Sequence, residues 1–246
     1  FTASEQCCAC GGGASGGLAY FENTGTANVS QFVARTGTSN PFDGLEVGTH
    51  CRPAFADVDN DDDVDLILGG SSGALQYYQN NGTAAVPEFI AVGANPFASV
   101  KVHNRSAPAL IDYDKDGDLD LAVGTANGTI VYYANTGTPE LPEYNAAVSP
   151  FAFVDVYANG APAFGDLDGD NDPDLLVGGV RRFNYNGRWY IMSIFFYYEN
   201  TGSAASHFVA RTGGANLLPF QLEYSMSRPP LGDIDGDGAS QRPSRD

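Results

Sequence analysis

Four times along the chain an aspartate stands at alternate positions: DVDNDDDVD from Asp57, DYDKDGDLD from Asp112, DLDGDNDPD from Asp166 and DIDGDGASQ from Asp233. The leading aspartates are almost evenly spaced over the first three copies and further apart before the fourth, and these four stretches hold 19 of the 30 acidic residues. Carboxylates at that density repel one another, so each stretch must either bind a counter-charge or stay unfolded in water. Other markers keep the same beat. A Pro-Phe pair ends at Phe42, Phe97, Phe151 and Phe220, and an Asn-rich turn centres on Gly25, Gly82, Gly137 and Gly202. A beat this regular means a supersecondary unit that buries its faces against copies of itself.

The composition supports a folded chain. With 43% hydrophobic and 12% aromatic residues in 246, it can bury a substantial core. A net charge of −18 argues against nucleic acid or anionic membranes as partners, since both reward basic surface. No apolar run approaches the length of a membrane-spanning helix, and the first residues lack a basic-then-apolar leader. No membrane insertion is expected of this segment, and an export signal is expected upstream of it.

Within one unit the periodicity is that of strands and turns, with no sustained helical stripe. In the second unit, short strands are predicted at Ala109–Asp112, Leu119–Val123, Thr129–Tyr133 and Glu143–Val148. A lone sheet of four short strands cannot cover both of its faces. Stacking such sheets radially buries them against each other and leaves only short edges. The expected fold is all-β: a β-propeller segment of four-stranded antiparallel blades. Three complete units are expected near 51–105, 106–160 and 161–227, preceded by one near 14–50 that lacks its acidic loop and followed by an incomplete one at 228–246.

In a D-x-D-x-D loop, alternate side chains can converge on one point while the backbone curls round it. Hard oxygen ligands at that density suit Ca²⁺ better than Mg²⁺, which keeps several waters. The sixth loop position is Asp62, Gly117, Asn171 or Gly238, residue types that tolerate a left-handed backbone. Spacing assigns side-chain ligands to positions one, three, five and nine and a backbone carbonyl to position seven. The three complete loops are then Asp57, Asp59, Asp61 and Asp65 with Asp63; Asp112, Asp114, Asp116 and Asp120 with Asp118; and Asp166, Asp168, Asp170 and Asp174 with Asp172. The fourth loop, Asp233, Asp235 and Asp237, has Ala239 and Gln241 at positions seven and nine and is expected to be weak or incomplete. An EF-hand would place a Glu at position twelve and a helix after it; here Leu68, Val123 and Val177 stand there, inside strand-like runs.

PAFADVDNDDDVDLILGG, PALIDYDKDGDLDLAVG and PAFGDLDGDNDPDLLVGG resemble FG-GAP and VCBS repeats, the calcium-loop blades of integrin α-subunit propellers and many secreted proteins. The resemblance covers roughly residues 14 to 238. It implies a structural role for Ca²⁺ at the base of each blade, with partners met on other loops. Family members usually close with more blades than are seen here, so further chain or neighbouring subunits are expected to cover open edges.

FTASEQCCACGGG, residues 1–13, resembles the closing segment of a small ShK-like disulfide-rich module. Cys7, Cys8 and Cys10 are then expected to bond upstream residues or each other, with Cys51 free or paired to one of them. A zinc reading on Cys7, Cys10, Cys51 and His50 fits by ligand type. Against it, the sequons at Asn28, Asn81, Asn104 and Asn127 suggest an oxidising, glycosylating compartment. The third unit carries an excess VRRFNYNGRWYIMS, with Arg181, Arg182, Arg188 and the single tryptophan, Trp189. A partner-binding hairpin stands there beside the plainer reading of an extended blade hairpin. His50, His103 and His207 recur at no common position and no nucleophile motif accompanies them, so no enzymatic activity is expected. The overall expectation is an extracellular, calcium-stabilised propeller serving as an adhesive or scaffolding module for proteins or glycans at a cell surface or matrix. The alternatives are a lectin-like carbohydrate binder and the non-catalytic propeller of a larger secreted hydrolase.

Overall fold

In the computed structural model of the protein, the described residues are 6–10, 17–26, 29–83, 85–185, 188–202 and 207–211, with 6–10, 181–183, 185 and 188–192 described by backbone alone. They form fifteen strands in four antiparallel sheets. The first sheet holds β1 (Gln6–Cys10), β2 (Leu18–Asn23) and β3 (Phe32–Arg35). Three four-stranded sheets follow: β4 (Arg52–Ala56), β5 (Asp65–Gly69), β6 (Gln76–Asn80) and β7 (Phe89–Ala91); β8 (Ala107–Ile111), β9 (Asp120–Gly124), β10 (Ile130–Asn135) and β11 (Tyr144–Ala146); β12 (Ala161–Gly165), β13 (Asp174–Tyr185), β14 (Arg188–Asn200) and β15 (Phe208–Arg211). One 3-10 turn, Gly37–Ser39, is the sole helical element among the described residues, and none there is long and apolar enough to cross a membrane.

Strands run consecutively across each sheet, and the inner strands β4, β8 and β12 touch in succession about an axis. This is a β-propeller segment. The second strand of each blade, DLILG in β5 and DLAVG in β9, is buried at every position because a neighbouring sheet covers each face. Three separate cores fill the wedges. Leu18 and Tyr20 meet Leu66, Leu68 and Phe89; Ile67 and Tyr77 meet Leu121, Val123 and Tyr144; Ala122 and Tyr132 meet Leu175, Val177 and Phe208.

The Pro-Phe marker is the wedge residue. Phe42, Phe97 and Phe151 are at most 1% exposed. Each meets a tyrosine of the preceding blade edge-on, Tyr20, Tyr77 or Tyr132, at 5.9, 5.8 and 6.0 Å. Each also meets an outer-strand ring of the next blade, Phe89, Tyr144 or Phe208, at 5.0, 4.7 and 5.6 Å. The corresponding Phe220 lies outside the described residues.

Near the axis, blades clasp through backbone. Ser106 N–H donates to the Gly70 carbonyl at 3.0 Å and Gly160 N–H to the Thr125 carbonyl at 2.9 Å. A Cβ on Gly124 would stand 2.2 Å from the Gly160 oxygen, so glycine is required where strands of adjacent blades approach. Arg52, 4% exposed, donates from Nη1 to the Gly160 carbonyl at 3.2 Å, linking the second blade to the fourth.

Residues 6–10, set apart from the repeats on sequence, pair with β2: Cys7 lies opposite Phe21 as Leu66 lies opposite Tyr78. On the equivalence of Leu18–Asn23 with Leu75–Asn80, β1 holds the second-strand position, and Gln6 holds the place of Asp65. The third-unit excess is a continuation of the β13–β14 ladder, running from Val180 opposite Ser193 to Tyr185 opposite Arg188.

Candidate metal centres in the acidic loops

Each acidic stretch joins the inner strand of a blade to its second strand, and three are described. The curl is tight because the first aspartate gathers backbone donors. Asp57 accepts from the N–H of Asp61 at 3.1 Å and Asp62 at 3.0 Å; Asp112 accepts from Asp116 at 3.2 Å and Gly117 at 3.1 Å; Asp166 accepts from Gly169 at 2.7 Å and Asn171 at 3.0 Å. Two residues per loop are left-handed. The sixth position has φ of 70°, 96° and 69° at Asp62, Gly117 and Asn171, as the sequence led one to expect. The fourth position, Asn60, Lys115 and Gly169, is left-handed too, with φ of 56°, 63° and 84°. That second kink was missed because a lysine there gives no signal.

Three carboxylates converge in every described loop. Oxygens of Asp57, Asp59 and Asp61 lie within 4.8 Å of one another, as do those of Asp112, Asp114 and Asp116, and those of Asp166, Asp168 and Asp174. These groups could hold a metal ion. Oδ1 of Asp59 and Oδ1 of Asp118 are buried with no hydrogen-bond partner. Buried acceptors without donors are costly, and a cation is the partner that suits an anionic acceptor.

Within each loop, burial and neighbouring carboxylates raise individual aspartates. Desolvation, then the charge of Asp61, raises the Asp59 carboxyl; at Asp114 desolvation is followed by Asp120, and at Asp168 by Asp170. Asp118 is pushed up to about 6 by desolvation and then by Asp116. Each of these shifts combines burial of the charged form with repulsion from a neighbouring carboxylate.

Position nine has an added role. Asp65 is fully buried and accepts from Asn80 N–H at 2.8 Å, Tyr77 hydroxyl at 2.7 Å and Val58 N–H at 3.2 Å. Asp120 repeats this with Asn135, Tyr132 and Tyr113, and Asp174 with Asn200, Tyr197 and Leu167. Three of roughly four acceptor positions are thus taken by protein, leaving about one toward the loop. Burial pushes Asp65 up to about 6 despite those donors. The tyrosine and asparagine partners went unnoticed in the sequence, although YYxN recurs at Tyr77–Asn80, Tyr132–Asn135 and Tyr197–Asn200.

An ion pair joins two neighbouring loops. Lys115 Nζ donates to Asp172 Oδ1 at 2.7 Å across the boundary between the third and fourth blades. Beside this bridge lies a cleft of about 350 Å³, lined by Asp112, Tyr113, Asp114, Lys115, Asn200 and His207 among others. Glu199, close to the third loop, is held below the usual carboxylate range by the Arg211 guanidinium.

Other expected sites fall elsewhere. Asn81, Asn104 and Asn127 are exposed, as a glycan acceptor must be, while Asn28 lies outside the described residues. So do Asp233, Asp235 and Asp237, and the side chains of Arg181, Arg182, Arg188, Trp189, Cys7, Cys8 and Cys10. Cys51 is buried at 2% exposure in the first wedge, whereas His50 is exposed and bonds Ser71 Oγ at 3.0 Å.

A family profile described as FG-GAP-like repeat matches residues 57–123 and again 112–177. Among solved structures, the chain is similar to a lectin from Agrocybe aegerita whose structure concerns recognition of non-reducing terminal N-acetylglucosamine. The identity is 15%, with 98% of this chain and 74% of that chain covered and a TM-score of 0.42.

Proposed function

We propose that the FG-GAP-like repeats over 57–177 form a calcium-stabilised propeller that acts as a non-catalytic binding and scaffolding module in an extracellular assembly. One observation carries this reading: three carboxylates converge within 4.8 Å at the same loop of three successive blades, and two of those loops also hold a buried acceptor oxygen without a donor. The residues that would hold Ca²⁺ are Asp57, Asp59 and Asp61; Asp112, Asp114 and Asp116; and Asp166, Asp168 and Asp174. When bound, the ion supplies charge neutralisation and a rigid crosslink between inner and second strands. Its role is structural, and recognition falls to surfaces the blades hold in place.

Calorimetric titration tests this. The full chain should take up three calcium ions tightly, with any fourth at the Asp233 loop weaker, and Asp116→Ala should lose one tight site and keep two. A protein that binds no calcium at millimolar concentration would remove the proposal.

A second reading, a glycan as the partner, draws on the cleft beside Lys115, Asn200 and His207, which offers charged, amide and imidazole groups. A glycan array with wild type and His207→Ala, an exposed residue of the cleft, decides between them: a glycan signal lost in the variant assigns the cleft, and a blank array leaves the protein-partner reading.

A further inference from the structure

The third strand of the second blade sends two side chains to its acidic loop. In β6 these are Tyr77 and Gln79, two residues apart and so on one side of the strand. Tyr77 donates to the buried ninth-position Asp65, and Gln79 Nε2 donates to Oδ2 of the third-position Asp59. Given the calcium reading above, on which this rests, we propose that Gln79 is a positioning residue for the first site. It holds Asp59 by Oδ2 so that Oδ1 is presented to the ion, and it sets that site apart from its two repeats.

The other oxygen is the mark of this arrangement. Asp59 Oδ1 is buried and has no hydrogen-bond partner, while Oδ2 is taken by the amide. The same carboxylate converges with those of Asp57 and Asp61 within 4.8 Å. A carboxylate fixed at one oxygen has lost its rotamer freedom before the ion arrives. Outer partners that orient a ligand in this way are worth about 10- to 100-fold in metal affinity. Gln79 is itself half-buried, so the amide is held in place rather than left to sweep through solvent.

The repeats separate this contact from ordinary blade structure. At the place of Gln79 the third blade carries Ala134 and the fourth Glu199. The methyl of Ala134 has no donor for Asp114. Glu199 is an acceptor, and Arg211 takes both of its oxygens, from Nε at 2.7 Å and from Nη2 at 2.5 Å. Glu22 of the first blade has Arg35 in the same way at 2.5 Å. The places of Arg35 and Arg211 on the outer strand are held by Val92 and Ala147 in the second and third blades. The glutamates therefore come with an arginine that draws them to the outer strand. The glutamine comes without one and turns to the loop.

Calorimetric calcium titration of the folded full chain tests the role. Gln79→Ala introduces the residue that the third blade already carries, and it should weaken one of three tight sites about tenfold while the other two stay unchanged. Gln79→Met, which keeps the length without the donor, should do the same. Gln76→Met, at an exposed position of the same strand, should leave all three sites as they are. In an Asp61→Ala background the two remaining sites should be indifferent to Gln79→Ala, which places the effect in the first loop. Europium in place of calcium gives a reading that a general loosening of the blade would not move. Its luminescence lifetimes in H₂O and D₂O should report more bound water at one site in Gln79→Ala. Three tight sites untouched by either Gln79 substitution, a loss shared by all three, or an unchanged water count would overturn the role of Gln79 and leave the calcium reading standing. A wild-type chain without tight sites would overturn both.

Discussion

At the scale of single residues, the ninth-position aspartate separates two roles that the ladder of carboxylates disguises. Asp120 is buried and tied to Tyr132, Asn135 and Tyr113, so it fixes where the loop enters β9, while Asp112, Asp114 and Asp116 remain turned to the loop centre. Tyr132→Phe removes a 2.7 Å hydroxyl donor from a buried carboxylate and should cost about 1.5–3 kcal/mol in urea unfolding. Tyr133→Phe is the control. Its hydroxyl donates to the Lys101 carbonyl at 3.3 Å, and losing a neutral bond of that length should cost about 0.5–1 kcal/mol. Equal costs would mean that the anchor adds nothing beyond an ordinary hydrogen bond. The loops were legible in the sequence because their alternation is dense and recurs. The anchor was not, because its donors lie 12 and 15 residues downstream and tyrosine at those positions reads as ordinary strand composition.

Among the elements, the blade boundaries carry the fold. Asn80 illustrates how an outer turn is made: its Oδ1 accepts from Gly82 N–H at 3.1 Å and Glu88 N–H at 2.9 Å, and Asn135 does the same for Gly137 and Glu143. This is why the Asn-rich turn keeps the repeat's beat. At the other end of the blade, Gly124 meets the Gly160 carbonyl and Pro162, so Gly124→Ala must push two blades apart. The expected loss is about 1–3 kcal/mol, measured by thermal or urea unfolding, with secondary structure content unchanged. Gly48→Ala, where an added methyl meets nothing within 4 Å, should be close to neutral and serves as the comparison. The second-unit strands were read to within two residues at most boundaries, since alternation and turn residues define them locally. The strand at Gln6–Cys10 was not recognised as part of a blade, because a cysteine run preceding a glycine run has no periodicity to betray its pairing with β2.

For the whole molecule, the radial arrangement followed from the repeat. The contact across the axis did not, because Arg52 stands where the next blades carry Ala107 and Ala161. The same scale governs the response to calcium and acid. Ion binding confined to the folded state adds about 2.7 kcal/mol per site at a hundredfold excess over Kd, so chelation should lower the melting temperature sharply. The pH dependence should reverse between the two states. In the calcium-free protein, Asp65 and Asp118 sit at about 6, and Asp59, Asp114, Asp168 and Asp174 are also raised, above the roughly 3.9 of an unfolded aspartate. The folded state therefore holds more protons than the unfolded one. Their contribution is fully present below about pH 4 and is lost as pH rises through about 6, so the apo protein should gain stability on going from pH 7.5 to 5. With calcium, the ligand carboxylates among these, Asp59, Asp114, Asp168 and Asp174, must be ionised to bind, so protonation competes with the ion and the calcium-dependent increment should shrink as the pH falls. Scanning calorimetry at pH 5, 6 and 7.5, with chelator and with millimolar calcium, should show the two melting temperatures converging toward acid. Two parallel curves would mean that the ion is not held by these carboxylates.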